Sequence, residues 1–546
     1  METITNEAAG NQRGMSRRGF ISGAALGTMA LLGLAGCAQP NQTNTQKESE
    51  PSNQNAQAPA TPDNVSETLE CDIVVVGAGI SGLAAAVQAS ENGSKVLVLE
   101  KGGAAGGNGA GTEGVFAVGS KLQKNLSIEI NEVDIIRTEL EEAQWVTNGA
   151  LWYDMVHNSA ENIDWLQGNG VQFNGVVDNY GAGLYNTMHW FDNDSAVTSY
   201  IEPMQATAEQ NGAEFRFGTA ATSLKVDAGT VSGLYAEDSS GNIIEVKAKA
   251  VVLASGGIGA NPDLLVQAGM AQNQVNEMMT NCSPSVCGDG YNMAMAAGGR
   301  DFLRNAAIQG FQMVKAFGTD TTVPYNSPLN GGNGLVGNGL CVWVNQDARR
   351  FNDESLAMTF NMAANLGACL GNRESYAIFD QAILDGCELD EADKKTVEDA
   401  LTNNDGTSVF TANSFEELAE HFELDAETLA ETMERYNQFC AQGFDGEFGK
   451  AQPFLTAIEN GPFYIARIDA LVVVVDGGIM TNVRSEVLDD ASKPIPGLYA
   501  VGLDGAMLWR NVYTQNMPGT AMANNINSGR NAANAAAKYI AKLSLA

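Results

Sequence analysis

The chain has 546 residues, 44% of them hydrophobic and 60 of them glycine, a balance that can bury the core of a large two-lobed enzyme or of several small domains. Its 30 basic and 65 acidic residues leave a formal charge of −35, which argues against a nucleic-acid partner and fits a soluble surface or a cationic protein partner. Eight cysteines, at 37, 71, 282, 287, 341, 369, 387 and 440, show no CxxC or CxxCH spacing, so the usual iron–sulfur, zinc and c-type haem signatures are missing.

At the start of the chain, "SRRGFIS" places paired arginines ahead of an apolar, small-residue stretch, Ala24 to Ala35, that is too short to span a bilayer as a mature helix. It resembles a twin-arginine export signal. The stretch ends in "LAGC", similar to a bacterial lipobox whose cysteine, here Cys37, carries the lipid, so residues 1–37 read as a signal peptide and the only membrane attachment expected is a lipid anchor. Residues 38–70 are rich in Gln, Asn, Pro, Ser and Thr and are expected to form a disordered tether. The location this implies is the outer face of the cytoplasmic membrane, or the periplasm.

The next segment, "CDIVVVGAGISGLAAAVQASENGSKVLVLEK", predicts a strand, a glycine turn, an alanine-rich helix and a second strand ending in Glu100. Gly77 serves the tight turn, Gly79 lets the backbone approach a pyrophosphate, and Gly82 allows close helix–strand packing. Glu100 stands where a carboxylate would hold ribose hydroxyls. Because twin-arginine export carries folded proteins, a tightly held flavin suits this motif better than diffusible NAD.

The glycine-rich extension "EKGGAAGGNGAGTEG" resembles the "EK…GGN…G" stretch of the fumarate reductase and succinate dehydrogenase flavoprotein superfamily. Further matches follow in order: "AKAVVLASGGIGAN", "CGDGYNMAMAAGG", "PIPGLYAVGLDG" and "NSGRNAANAAA". The resemblance implies non-covalent FAD, since residues 101–120 hold no histidine for covalent attachment. It places FAD contacts at Gly77, Gly79, Gly82, Glu100, Lys101, Gly107, Asn108, Gly109, Gly114, Ala221, Gly257, Asp289, Gly502, Thr520 and Ala521. No metal is expected. The fold class is α/β: a Rossmann-like FAD-binding domain built from two chain segments, 71–305 and 474–546, with an inserted α+β capping (clamp) domain at 306–473. Within the cap, Ser414 and Asp425 read as helix N-caps.

Soluble fumarate reductases of this superfamily hold two carboxylates with histidines and arginines and deliver a proton through an arginine relay. At the matching positions this chain has Gln309 and Phe311, Asn333 and Val336, Met358, Val474 and Asn516. Holding a dicarboxylate without fixed cations would cost several kcal/mol per charge, so the pocket suits an apolar, aromatic or steroid-like enone or enoate. Hydride addition to such an alkene also needs a proton and stabilisation of the developing enolate. Tyr513 is the first candidate for that role, near a turn where ketosteroid dehydrogenases of the superfamily carry a tyrosine; Arg510 is the second. His189, in a stretch resembling the family's flap, is a third site candidate, and Tyr180, Tyr185 and Trp190 surround it in sequence as an aromatic cluster that either stacks on a substrate or packs a core. His157 and His421 fall on predicted helices and read as ordinary.

The resulting expectation is an extracytoplasmic FAD-dependent reductase of a C=C bond in a small-molecule alkene, serving anaerobic respiration. A separate membrane-associated cytochrome or flavoprotein would feed it, as no haem or FMN-attachment segment is present. Two alternatives stand beside it: a FAD-dependent dehydrogenase of ketosteroid type, and a ligand-binding surface flavoprotein without catalysis.

Overall fold

The computed structural model describes residues 62, 64–180, 183–272, 275, 279–280, 282–314, 336–359, 374–387, 409–505, 508–511, 513–514 and 516–545. Cys37, Asn333, the signal stretch and most of the tether lie outside the described residues. An eight-stranded sheet carries the larger lobe. Its main path runs Glu486–Leu488, Pro494–Ala500, Ile243–Leu253, Val65–Val76, Val96–Leu99, Glu214–Arg216, and the hairpin of Thr219–Asp227 with Thr230–Asp238 joins through Ile243–Leu253. Val65–Val76 lies parallel to both its neighbours. The run Ile73 to Val76 is apolar without alternation because the sheet is covered on both faces there.

The tether ends earlier than its composition indicates. Val65 and Glu67 to Cys71 pair with Ile243 to Ala248, so the strand begins at Val65 rather than near Cys71. Its first half is mostly exposed and is held by backbone pairing, which a hydropathy pattern does not report.

The alanine-rich helix Ile80–Glu91 is buried from Ile80 to Ser90. The C-terminal helix Thr520–Leu543 packs against it, and a Cβ on Gly529 would lie 2.5 Å from the Ser81 carbonyl oxygen. Small residues on both helices permit this approach. Arg530 ties them further, donating to Gln88 at 2.9 Å.

A second, six-stranded sheet belongs mainly to the cap. Its long central strand Phe463–Asp476 pairs with Ala307–Val314, Ser375–Asp380, Val409–Ala412 and the short Met279–Thr280, and it continues past residue 473 as far as Asp476. Ser414 and Asp425 do cap the helices Phe415–His421 and Ala426–Gln442, accepting from the N–H groups of Glu417 and Thr428. The "RRFNDES" stretch is part of the cap's interior. Arg350 reaches both oxygens of Glu354 (2.8 and 2.9 Å) and both of Asp445 (3.1 and 3.0 Å), and Lys450 lies 3.3 Å from Glu354.

Candidate active site

The turn after Val65–Val76 uses each glycine differently. Gly77 sits at φ +105°, and a Cβ there would lie 2.3 Å from the Ala254 carbonyl oxygen. A Cβ on Gly82 would lie 2.0 Å from the Gly77 carbonyl oxygen, so this position lets the helix meet the strand. Gly79 opens on a cleft instead: the atom nearest its missing Cβ is the Gly106 carbonyl oxygen at 3.8 Å. Glu100 borders the same cleft and accepts from the N–H groups of Ala78 (2.7 Å) and Gly102 (2.6 Å).

The cleft measures about 800 Å³ out to its open mouth. Of the expected FAD contacts, Gly77, Gly79, Glu100, Lys101, Gly107, Asn108, Gly109, Ala221 and Asp289 line it. Lys101 and Asp289 form an ion pair of 3.0 Å at its side. Ser81, Ser255, Ser285, Leu503 and Asn525 line it too; the sequence reading did not single them out, although Ser81, Ser255 and Leu503 stand inside the quoted motifs and Asn525 on the C-terminal helix. Two buried atoms on this surface, Asn108 Nδ2 and Asn525 Oδ1, have no hydrogen-bond partner among the described residues. Open space over Gly79 and orphaned polar atoms fit a cleft completed by the phosphate and hydroxyl groups of a dinucleotide.

Gly82, Gly114, Gly257, Gly502, Thr520 and Ala521 lie off that surface. A Cβ on Gly114 would meet the His189 carbonyl oxygen at 2.4 Å, and one on Gly502 the Ser81 hydroxyl at 2.5 Å, so both serve close packing. Gly257 donates its N–H to Asp504 at 3.0 Å. Thr520 and Ala521 open the C-terminal helix beside Tyr513.

Residues 72–511 match the family described as FAD binding domain. A vinyl phenol reductase of Lactiplantibacillus plantarum is 31% identical over 489 residues, covering 86% of this chain and 96% of that protein. The chain belongs to the FAD binding domain family. Its cofactor is FAD, and it is a FAD-dependent oxidoreductase acting on CH–CH bonds. A cytochrome-type fumarate reductase of Shewanella frigidimarina is 27% identical over 476 residues, covering 86% of this chain and 78% of that protein. The fold is shared with the 3-ketosteroid-Δ4-(5α)-dehydrogenase from Rhodococcus jostii RHA1 in complex with 4-androstene-3,17-dione, at a TM-score of 0.66 and 22% identity over 88% of this chain and 100% of that one.

In this family member a second group of residues gathers where the cap strand Phe463–Asp476 enters the flavin lobe. Side chains alternate along a strand. Val475 enters the core beneath the sheet, so Val474 and Asp476 share the opposite face. Backbone pairing sets Gln309 opposite Val474 and Ala307 opposite Asp476. Ala307 belongs to the same core as Trp509 and Tyr513.

Asp476 is 1% exposed, and neither carboxyl oxygen has a partner among the described residues. Burial pushes its pKa up to about 8. Tyr513 is also buried and stacks on Trp509 with ring centroids 4.1 Å apart. Burial and then the charge of Asp476 hold its phenol above the ordinary range, against the pull of Thr520. The Trp509 indole N–H donates to Thr514 at 3.1 Å, and the Thr514 hydroxyl donates to Glu139. Burial pushes the Glu139 carboxyl up to about 7 in spite of that bond. Two protonatable carboxyls thus flank a buried tyrosine. Neither was legible in sequence: Glu139 sits among the solvated acids of "EVDIIRTELEE", and Asp476 looks like a turn residue before Gly477.

Several of the other candidates are placed apart from this group. His189 is fully buried, with Nε2 2.7 Å from the Ser120 hydroxyl and Nδ1 2.9 Å from the Thr187 carbonyl oxygen. Burial lowers its pKa to about 4, which keeps the ring neutral. Arg510 donates to Asn305 at 2.7 Å and lines a separate depression with Phe302 and Asn148. Val336 is 1% exposed inside the cap core with Val342. Asn516 lies beside Glu139 and keeps its buried Nδ2 without a partner among the described residues. Met358 falls in the short helix Glu354–Thr359, and Gln309 and Phe311 fall on the strand Ala307–Val314. Tyr180 stacks on Trp190 at 5.3 Å, while Tyr185 packs against the flavin-lobe core. His157 meets Glu132 at 3.2 Å and His421 stacks on Phe410 at 3.8 Å, both away from the site.

Proposed function

We propose that this protein reduces an activated C=C bond in a non-dicarboxylate substrate, an apolar, aromatic or steroid-like enone or enoate. The observation that carries the reading is the placement of Glu139 and Asp476 around Tyr513. A dicarboxylate brought to this seam would face buried acids in place of fixed cations, at several kcal/mol per unpaired charge. A neutral alkene carries no such cost. Phe311, Met358, Val474 and Asn516 stand where charged residues would be needed for fumarate. The likeness to a vinyl phenol reductase, named for a neutral aromatic alkene, agrees with this.

Bound FAD, once reduced, supplies a hydride. The chain's own residues hold the cofactor at the glycine turn and Glu100, shield the seam from water, and present a hydroxyl to the polar end of the substrate. Tyr513, kept protonated by burial, donates a hydrogen bond to the oxygen on which negative charge develops. Electrons would come from a membrane-associated cytochrome or flavoprotein, since no CxxCH segment is present to carry haem. The paired arginines and the lipobox at Cys37 support export and a lipid anchor on the outer face of the membrane.

The test is anaerobic reoxidation of the chemically reduced holoprotein, followed at the flavin band, against fumarate, urocanate, cinnamates, vinyl phenols, flavonoid enones and steroid enones. Reoxidation by a neutral aromatic or steroid substrate but not by fumarate is expected. Rapid reoxidation by fumarate alone would overturn the reading.

A further inference from the structure

Among the described residues, the buried acids are Glu139, Glu354, Asp380, Asp445, Asp476 and Asp504. Five of them have evident structural work. Asp504 accepts from the Ser255 hydroxyl and N–H and from the Gly257 N–H, joining two turns of the flavin lobe. Asp380 caps a helix through the Ile383 N–H and accepts from the Glu459 N–H. Glu354 and Asp445 grip Arg350, and Glu139 accepts from Thr514. Asp476 alone has no partner for either oxygen. A buried acid with nothing to hold is an expense that a fold does not need.

Its position narrows what it is for. Asp476 ends the strand that links cap to flavin lobe, on the same face as Val474, and its backbone pairs with Ala307, whose side chain packs into the core containing Tyr513. The titratable group that feels its charge is Tyr513, which also feels Glu139, and Asp504 follows Leu503, whose carbonyl accepts from the Gly477 N–H. None of these is a cation, and burial by itself accounts for the state of Asp476. A carboxyl in such surroundings keeps its proton and can give it up only to something brought beside it.

We propose that Asp476 is the proton donor of the reduction. Its O–H bond breaks and the proton goes to the alkene carbon next to the one that receives the hydride; FAD is oxidised, the alkene is reduced, and the carboxylate is reprotonated from solvent. The inference rests on the alkene-reductase reading and leaves Tyr513 the oxygen-binding role. The arginine that the resemblance expects at position 358 is replaced by Met358, so an acid of this kind supplies the proton that the relay no longer can.

The experiment compares wild type, Asp476→Asn and Asp476→Glu holoenzymes. Asp476→Asn keeps the shape and removes the proton; its turnover should fall about a hundredfold with flavin content unchanged. The wild-type rate should fall as pH rises through about 8, that limb should vanish in Asp476→Asn, and Asp476→Glu should recover part of the rate. Independently of turnover, the infrared difference spectrum of wild type minus Asp476→Asn at neutral pH should contain a protonated-carboxyl band, lost at high pH, that is separate from the contribution of Glu139 common to both. The wild-type pH profile needs no variant to fold. Absence of the band, or turnover of Asp476→Asn within about threefold of wild type, would refute the donor assignment while leaving the alkene reductase intact. If the wild type reduces no alkene, the reading and the donor fall together.

Discussion

Replacing Arg350 by methionine perturbs the cap interior without touching the flavin lobe. The Arg350 side chain is 1% exposed; its guanidinium is gripped by Glu354 and Asp445 and lies 5.0 and 5.1 Å from the rings of Tyr436 and Phe448. Methionine fills similar volume without charge or donors. Glu354 and Asp445 are then left with Lys450 as the buried cation beside them, 3.3 Å from Glu354, so one buried negative charge goes uncompensated. Removing one partner from a buried ion pair costs about 3–5 kcal/mol. At about 2–4 °C per kcal/mol for a unit of the cap's size, the midpoint of the cap's transition should drop by about 10 °C. Scanning calorimetry of the holoprotein measures this, and flavin absorbance per mole of protein measures the cofactor. Flavin content should stay unchanged, because no residue of the cap between 342 and 450 lines the cleft. Adding Glu354→Gln should recover part of the loss. A midpoint shift below about 2 °C would refute the argument that this arginine neutralises the cap's interior.

Three further outcomes follow from the site. Gly79→Val puts a branched side chain into the open space over the glycine turn, so the purified protein should be colourless; a yellow, fully loaded variant would sink the phosphate-turn assignment. Tyr513→Phe should lower turnover about tenfold or more with FAD content unchanged, and near-normal turnover would remove Tyr513 from the mechanism. Stability should also depend on pH in an unusual direction. Asp504, Glu139 and Asp476 are raised by burial to about 6, 7 and 8, so their contribution is fully present below the ordinary carboxylate range and is lost as pH rises through those values. Asp445, which Arg350 holds down to about 2 against the effect of burial, behaves oppositely and loses its contribution only in strong acid. Denaturant unfolding of the flavin-free protein should therefore show stability falling between pH 5 and 8; a flat or rising profile would contradict the burial of these acids.

The dinucleotide turn was legible because its constraints are local. A glycine at positive φ, another with no room for a Cβ and a third facing open space are demands that a few neighbouring residues impose on one another, and the order of residues records them. The helix caps at Ser414 and Asp425 were legible for the same reason: a side chain three residues ahead of an orphan N–H is a short-range geometry. Periodicity could not show that Val65 to Glu70 form a strand, because an exposed strand is held by backbone pairing with residues 243 to 247 and not by apolar burial. Nor could residue type show that His189 is enclosed by Ser120 and Thr187, that Arg510 reaches Asn305 or that Val336 enters the cap core, since only packing shows where a side chain went.

By itself, then, the sequence determined the FAD turn and the doubly wound plan. Tertiary structure alone decided which acids are buried. Glu139 is drawn from a solvated helix against Thr514, and Asp476 is sealed at the end of a strand paired more than 160 residues away with Ala307. The charge state of a carboxyl depends on how much water distant segments exclude from it, and that information is held in the packing and not in the neighbours along the chain.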